Sequence, residues 1–460
     1  ASLWLGREVA DSAAWGPAFT LHGTQIAWAI IIYGAVASSL PVWLMLAPRD
    51  YLSTFLKVGT IIALALGIYL VAPELRMPDV TRFIDGSGPV FSGSLFPFLF
   101  ITIACGAVSG FHALIASGTT PKMIESEGHI RQIGYGGMLT ESFVAIMALT
   151  AACVLDPGIY FVMNSPAAAI GSTVAEAAKT VSSWGFVITP EMIQQTAQDI
   201  GEKTILSRAG GAPTLAVGMA QILAQAVGGK SMEAFWYHFA ILFEALFILT
   251  AVDAGTRVGR FMIQDMLGHV WTPLGNTEFL PANMFATAAC VGLWGYFLYQ
   301  GVVDPLGGIN TLWPLFGIGN QMLAGIALIT CTVVLIKMKR ERYVWVTLVP
   351  TAWLLVTTLT AGWQKIFDPA PSIGFLALAR RFAEAAASGK VIAPAKSVAE
   401  MQRVAFNNYL DAAVCGFFVI LVLAMCVYAI IVSMRALRQM QPTAVETPIG
   451  VLPQGAVYAK

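Results

Sequence analysis

Long apolar runs dominate the chain, and shorter stretches rich in Gly, Pro and charged residues separate them. A helix that crosses a hydrocarbon layer of roughly 30 Å needs about 20 apolar residues. Nine runs meet this length, so the pattern predicts nine membrane spans. They lie near residues 25–47, 54–74, 95–117, 133–155, 231–254, 280–302, 315–336, 343–364 and 408–434.

A tenth apolar stretch, "APTLAVGMAQILAQAVGG" at 212–229, is short and contains Gly, Gln and Pro. We predict that this segment is re-entrant, entering the bilayer without crossing it. Charge supports this prediction, because Lys and Arg collect in short cytoplasmic loops. We place the basic segment "KMKRER" (337–342) on the cytoplasmic side. If 212–229 does not cross the bilayer, every other short basic loop except 74–85 also lies on the cytoplasmic side. If 212–229 crosses, this agreement is lost.

The resulting topology predicts four regions. Residues 1–155 carry four spans, and 156–230 form an external loop with the re-entrant segment. Residues 231–436 carry five further spans, and 437–460 form a cytoplasmic tail.

Three features of the connecting segments follow from this topology. "APRD" (47–50) and the segment with Arg257 and Arg260 are predicted to be cytoplasmic loops. Outside, "IGFLALARRFAEAAA" within 365–407 predicts an amphipathic helix that lies on the surface of the bundle.

Composition agrees with a membrane protein. Hydrophobic residues make up 57% and charged residues 11%, whereas soluble proteins have about 25% charged residues. The net charge of zero argues against a nucleic-acid partner. The six cysteines form no CxxC pair, so we expect buried thiols rather than disulfides or a metal site, and no cofactor. Because the chain begins with Ala1 and has no signal peptide, we expect it to start partway through a longer protein.

The third run is interrupted by polar and small residues in "ACGAVSGFHALIASGTTPKM" (104–123). Each Gly lowers helix propensity by about 1 kcal/mol relative to Ala, and Pro121 disfavours helix at the residue before it. We predict a broken helix, a feature with which secondary transporters bind substrates and ions. The candidate substrate-binding residues are Gly106, Ser109, Gly110, His112, Ser117, Gly118, Thr119 and Thr120. The alternative is close helix packing through small residues.

Ionisable residues in the spans are candidates for ion coupling, because a charge in the bilayer costs several kcal/mol unless it is paired or hydrated. These candidates are Lys57, Glu141, Glu244 and Asp253. Glu244 has no obvious local partner. Asp253 lies four residues before Arg257, so an ion pair is the alternative for it. Lys57 could instead extend its amine to the membrane surface.

Sequence signatures of catalysis are absent. The chain has no Walker loop, Rossmann fingerprint, zinc-ligand spacing or nucleophile elbow, so no enzymatic activity is expected. The Gly-, Pro- and Asn-rich segment 302–323 is predicted to be irregular, with an ordered external turn as the alternative.

Several long strings resemble the carbon starvation protein A family of bacterial inner-membrane transporters. Examples are "FPFLFITIACGAVSGFHALIASGTTPKMI" (96–124), "SRAGGAPTLAVGMAQI" (207–222), "FWYHFAILFEALFILTAVDAGTRVGRFM" (235–262) and "QGVVDPLGGINTLWPLFGIGNQMLAGIAL" (300–328). The resemblance covers nearly the whole chain and implies that about the first third of the family's sequence is absent here.

This resemblance implies an all-α polytopic membrane protein, an inverted-repeat amino acid–polyamine–organocation-type (LeuT-like) bundle with broken helices. The span 95–117 would then open the second repeat. The implied function is uptake of small peptides during carbon starvation, or of pyruvate, across the bilayer by alternating access. The expected coupling ion is H⁺, with Na⁺ as the alternative. A membrane nutrient sensor without transport is the rival class.

Overall fold

The computed structural model describes residues 2–277, 279–439, 441–442 and 444. Throughout these residues the regular structure is helical, with no strand. Large apolar side chains remain exposed on the outer faces of the long helices, as in a membrane protein. The predicted all-α class is therefore confirmed.

Eight α-helices form the first part of the chain. They are α1 Ser2–Asp11, α2 Gly16–Phe19, α3 Gly23–Ser39, α4 Leu46–Val71, α5 Leu95–Ile103, α6 Gly110–Gly118, α7 Thr120–Met123 and α8 Ile130–Val154. Five more make up the predicted external loop: α9 Pro157–Asn164, α10 Ala167–Ile170, α11 Val174–Ser183, α12 Pro190–Asp199 and α13 Gly211–Ala226.

The second half contains longer helices. They are α14 Glu233–Gly268, α15 Leu280–Val303, α16 Gly308–Lys337, α17 Val344–Phe367, α18 Phe375–Ala387 and α19 Val398–Arg438. Short 3-10 turns precede or follow several helices, at Arg82–Asp85, Ala104–Gly106, Glu127–His129, Lys230–Met232, Thr272–Gly275 and Glu341–Tyr343.

Among the described residues, eight helical segments are long and apolar enough to cross a membrane. They correspond to eight of the nine predicted spans. The prediction for 25–47 is wrong in its second half, because α3 ends at Ser39 and is only 17 residues long. The predicted loop 47–50 is also wrong, since α4 begins at Leu46. Pro48 fits there because N–H groups in the first turn of a helix make no hydrogen bond within the helix, so the missing proline N–H costs nothing.

Helix α14 continues for 36 residues, which corrects the predicted loop around Arg257 and Arg260. Both side chains are buried and bond the C-terminal end of α3, so these charges stabilise a helix inside the protein instead of ending a span. The segment 302–323 is likewise mostly helical. Its irregular part shrinks to the turn 304–307 before α16. Most of the predicted tail 437–460 lies outside the described residues.

The five helices of the predicted external loop share a core with α4, α8 and α14. Val162, Met163, Ile193 and Met219 are among its fully buried members. Helix α13 has 16 residues and is buried along much of its length, shorter than the roughly 20 residues that a crossing requires. Its re-entrant placement remains a prediction.

A second core joins α5, α16, α17 and α19, around Phe98, Ile318 and Cys415. Helix α18 lies beside it and buries Phe375, Ala379 and Phe382 on one face. The predicted amphipathic helix within 365–407 is therefore confirmed.

Close backbone contact at Gly218 generates a stability prediction. A Cβ atom on Gly218 would lie 2.1 Å from the Ala151 carbonyl oxygen of α8. Gly218→Ala should therefore lower the thermal unfolding midpoint in detergent, with an overpacking cost of about 1–3 kcal/mol. Gly292→Ala in α15 is the control, because nothing lies within 4 Å of its new methyl group. Equal midpoints for the two variants would contradict the described packing of α13 on α8.

Candidate functional site

The third apolar run is broken between α5 and α6. Helix α5 ends at Ile103, Ala104 has a left-handed φ of 48°, and a 3-10 turn covers Ala104–Gly106. Helix α6 then starts at Gly110, with the Ser109 hydroxyl accepting the His112 N–H as an N-cap. The predicted break is confirmed over a shorter stretch, since Ser117 and Gly118 lie in regular helix.

Two neighbouring amides of α16 bond the backbone at this break. Asn320 Oδ1 accepts the Phe111 N–H at 2.9 Å, and its Nδ2 lies 3.5 Å from the Val108 carbonyl. Gln321 Nε2 donates to the Phe100 carbonyl at 2.7 Å and to the Ala104 carbonyl at 3.3 Å. These two side chains therefore bond four backbone groups at the break, one N–H and three carbonyls.

Small residues also let neighbouring helices approach the break. A Cβ atom on Gly110 would lie 2.2 Å from the Asn320 carbonyl oxygen, and one on Gly118 would lie 3.0 Å from Val258 of α14. At these two positions the geometry matches the packing alternative. Gly106 differs, because its nearest neighbour would be the side chain of Ile103 in its own segment, at 3.2 Å.

Three of the predicted residues meet on one side of α6. His112 Nδ1 lies 2.6 Å from Ser109 Oγ, and His112 Nε2 lies 3.0 Å from Glu141 Oε2 of α8. The His112 and Glu141 side chains are 54% and 43% exposed. Near the end of α6, Thr119 is buried, whereas Thr120 begins α7.

Two other predicted residues belong to a polar cluster between α4 and α14. Lys57 Nζ donates to Thr250 Oγ1 at 2.8 Å, and Thr250 donates to Asp50 Oδ1 at 3.0 Å. One turn further along α14, the carboxylate of Asp253 is fully buried and lies 3.3 Å from Arg49 Nη2. This cluster is separate from the break.

Arg257 completes that cluster and ties it to α3. Its guanidinium lies 3.6 Å from Asp253 and donates to the carbonyls of Ala37 and Leu40. Cations at the carboxyl end of a helix stabilise its free carbonyls. The ion-pair alternative for Asp253 therefore matches the geometry.

A cavity of about 1240 Å³ opens within the described part of the chain. Its walls include residues of α8, α9, α10, α14, α16, α17 and α19, the amino-terminal residues of α13, and the segments before α5 and between α17 and α19. Of the twelve predicted site residues only Glu244 lines it. Thr102, just before the break, lines it as well.

The cavity contains charges of both signs. Lys365 of α17 is 4% exposed, and its amine lies 5.1–5.9 Å from the ring centres of Phe91, Phe98 and Phe375. Within the described chain no carboxylate lies within salt-bridge distance of it. Arg208 differs, because it bonds Glu202 at 2.7 Å. A buried cation held mainly by aromatic faces is available to an anionic ligand.

Sequence reasoning did not select Lys365, Asp304 or Asp411. Asp411 lies inside the predicted span 408–434, so the rule for charges in a membrane applied to it. Lys365 lies one residue beyond the predicted end of its span, and Asp304 lies between two predicted spans. Only the fold shows that Lys365 lines the large cavity and that Asp411 lines a smaller one. Asp304 lines both cavities.

Among the described residues, no group of three or more His, Cys, Asp or Glu side chains is placed to hold a metal ion. All six cysteines are free; Cys415 is buried, as expected, whereas Cys331 is exposed.

A helical bundle with eight potential spans, one of them broken beside a charged cavity, defines a multi-pass membrane protein. The family model described as carbon starvation protein CstA matches residues 1–361. The chain belongs to this family, and the resemblance noted in its sequence is confirmed. It is accordingly a protein of the bacterial inner membrane.

Curated relatives match almost the whole chain. The peptide transporter CstA of Escherichia coli (strain K12) is 61% identical over 98% of this chain and 65% of its own length. The pyruvate/proton symporter BtsT of the same organism is 53% identical over 99% of this chain and 67% of its own length. The peptide transporter CstA of Mycobacterium tuberculosis (strain ATCC 25618 / H37Rv) is 50% identical over 96% of this chain and 61% of its own length. The chain thus spans about two-thirds of the length of these relatives. No solved structure matches it significantly.

The contacts of Asn320 generate a prediction about the break. Asn320→Ala leaves the Phe111 N–H without its acceptor, and an unsatisfied buried group costs about 1–3 kcal/mol. Hydrogen–deuterium exchange of a peptide covering 104–118 should therefore become faster. Thr330→Ala on the same helix is the control, because its hydroxyl only bonds its own helix at Ile326. Unchanged exchange in Asn320→Ala would contradict the described role of this amide.

Proposed function

We propose that this chain is the larger part of a secondary active transporter that takes up small peptides across the bacterial inner membrane during carbon starvation. The observation that carries the proposal is the 1240 Å³ cavity with a buried lysine, a glutamate and two helix amino termini in its walls. Relatives named as peptide transporters support it. Transport proceeds by alternating access, in which the cavity opens to one side of the membrane at a time.

A peptide matches the two signs of charge in the cavity. Lys365 and the amino termini of α13 and α16, at Gly211 and Gly307, suit a carboxylate, because a helix amino terminus carries a partial positive charge. Glu244 suits an ammonium group. The volume also exceeds the roughly 300–1,000 Å³ of common ligand pockets, which leaves room for side chains of different sizes.

Pyruvate is the second candidate substrate, because a relative named pyruvate/proton symporter is 53% identical. It has a carboxylate but no ammonium group, so it would use Lys365 and leave Glu244 without a partner. The glutamate in the cavity wall therefore favours the peptide. A membrane sensor without transport remains the rival class.

The broken helix fits the inverted-repeat fold of amino acid–polyamine–organocation transporters, in which α5 and α6 would open the second repeat. In this arrangement the cavity reaches the break when access changes sides. The residues from Gly106 to Thr120 named above then contact substrate on its inward path. The proposed coupling ion is H⁺, with Glu244, Asp253, Glu141 and Lys57 as its candidate carriers and Na⁺ as the alternative ion.

Uptake by the full-length protein in proteoliposomes tests the function. Labelled dipeptide and labelled pyruvate are compared with and without an inward proton gradient. We expect gradient-dependent accumulation of the dipeptide. Accumulation of pyruvate without the dipeptide would make pyruvate the substrate. No uptake of either compound would favour a membrane sensor without transport.

Lys365 generates a prediction about substrate recognition. A hydrogen bond to a charged group contributes about 1.5–3 kcal/mol, so Lys365→Met should raise the KM for dipeptide roughly 10- to 100-fold. A dipeptide with an amidated carboxyl end should compete only weakly with the free dipeptide for uptake by the wild-type protein. Lys365→Met should no longer distinguish the amidated from the free dipeptide. Lys390→Met, at an exposed position, is the control. Full discrimination retained by Lys365→Met would rule out the contact.

Glu244→Gln separates two roles of this carboxylate. If Glu244 carries the coupling proton, the variant should lose gradient-driven accumulation but retain exchange of dipeptide across the membrane. Glu384→Gln on the exposed face of α18 should leave both activities unchanged. Loss of exchange as well would assign Glu244 to the substrate ammonium group. Full accumulation would exclude it as the carrier.

A further inference from the structure

A small cavity lies between α15, α16 and α19, next to the turn 304–307. It has a volume of about 10 Å³, room for roughly one water-sized particle. Asp304, from the turn, and Asp411, from α19, both line it. Asp304 also lines the large cavity, so one carboxylate connects the two.

The two carboxylates differ in how they are satisfied. Asp304 Oδ1 accepts the Leu306 N–H at 2.8 Å, and its Oδ2 accepts from Asn407 Nδ2 at 2.7 Å. Asp411 is 2% exposed, and its Oδ2 has no hydrogen-bond partner among the described residues. Burial of an ionised carboxylate without a counter-charge costs several kcal/mol.

Further oxygen atoms around the cavity lack partners. Asn407, 7% exposed, donates through its amide nitrogen to Asp304, which leaves its Oδ1 unpartnered, and the buried Gln300 Oε1 is unpartnered too. Thr311 directs its hydroxyl hydrogen toward the carbonyls of Gly307 and Gly308, so its own oxygen remains available. The wall therefore presents acceptors that only a cation or a hydrogen donor satisfies.

No positive side chain in the lining compensates the two carboxylates. The lining contains no Lys, Arg or His; besides the carboxylates its only titratable group is Tyr296 of α15. Cys415 follows Asp411 by one turn of α19, and its thiol donates to the Gly362 carbonyl of α17 at 3.9 Å. Helix α16 contributes Thr311 and Leu312 to this wall, and α18 directs its acidic Glu384 to the exterior.

We propose that Asp411, with Asp304 and the amide oxygens of Gln300 and Asn407, binds a single monovalent cation, either a proton or Na⁺. One such charge neutralises Asp411, whose Oδ2 has no partner, whereas the Asp304 carboxylate is stabilised by hydrogen bonds from two neutral donors. Hard cations prefer oxygen ligands of this kind. The bound cation stabilises the turn before α16, whose first residues line the large cavity. The link from this site to substrate binding rests on the proposed function; cation binding does not.

Thermal unfolding of the full-length protein in detergent tests the site without transport. At pH 8, NaCl is compared with choline chloride at equal ionic strength. In choline alone, the pH is lowered from 8 to 6. A cation that binds only the folded state should raise the midpoint by a few degrees in one arm. The responding arm distinguishes Na⁺ from H⁺.

Asp411→Asn should abolish the responding shift, because the amide keeps the shape of the side chain and removes its charge. Gln300→Met, which removes one acceptor oxygen, should weaken cation affinity and provides a second test if Asp411→Asn does not fold. Glu384→Gln is the matched control and should keep the full shift. No cation-dependent shift in the wild type, a shift only with Mg²⁺ or Ca²⁺, or a shift retained by Asp411→Asn would overturn the proposal. If the cation shift stands while proteoliposomes transport nothing, the proposed function fails and the cation site remains.

Discussion

The structure depends on satisfying a backbone that is interrupted inside a hydrophobic bundle. In lipid, unpaired N–H and C=O groups cost several kcal/mol each, so a broken helix needs polar partners from the protein. Asn320 and Gln321 supply them to both sides of the break. Because these partners come from one helix, α16 fixes the relative positions of α5 and α6. The glycines at the contact let the two backbones come close enough for these bonds.

Helix α16 consequently joins three regions of the chain. Its middle holds the break, and its first residues line the large cavity. The preceding turn contributes Asp304, which bonds α19 through Asn407. A change in the polar surroundings of that turn therefore acts on the same rigid helix that bonds the break. Helix α16 therefore contacts both the proposed ligand cavity and the broken helix, although none of residues 104–110 lines the cavity itself.

The sequence predicted what local patterns determine. Eight of the nine spans predicted from apolar runs correspond to long apolar helices among the described residues, and Gly106 and Gly110 marked the break, because hydropathy and helix propensity act within a few residues. Pro121, in contrast, lies in α7. The partners of those groups come from distant segments, which no local pattern reveals. Asn320 reaches back more than two hundred positions to Phe111, and Arg257 reaches α3. For the same reason α14 was predicted to end too early: its arginines look like loop residues until their acceptors are known. Asp411, by contrast, could have been found from its position within a predicted span.

Helix α14 contacts segments that are far apart in the sequence. Its 36 residues extend about 54 Å at 1.5 Å per residue, well beyond the roughly 30 Å hydrocarbon layer. Near one end Tyr237 bonds Arg208 of the segment before α13, and Glu244 lies at the cavity. Toward the other end, Arg257 and Arg260 donate hydrogen bonds to backbone carbonyls of α3. One continuous helix therefore contacts both the segment before α13 and the end of α3, so a displacement of α14 would change both contacts together.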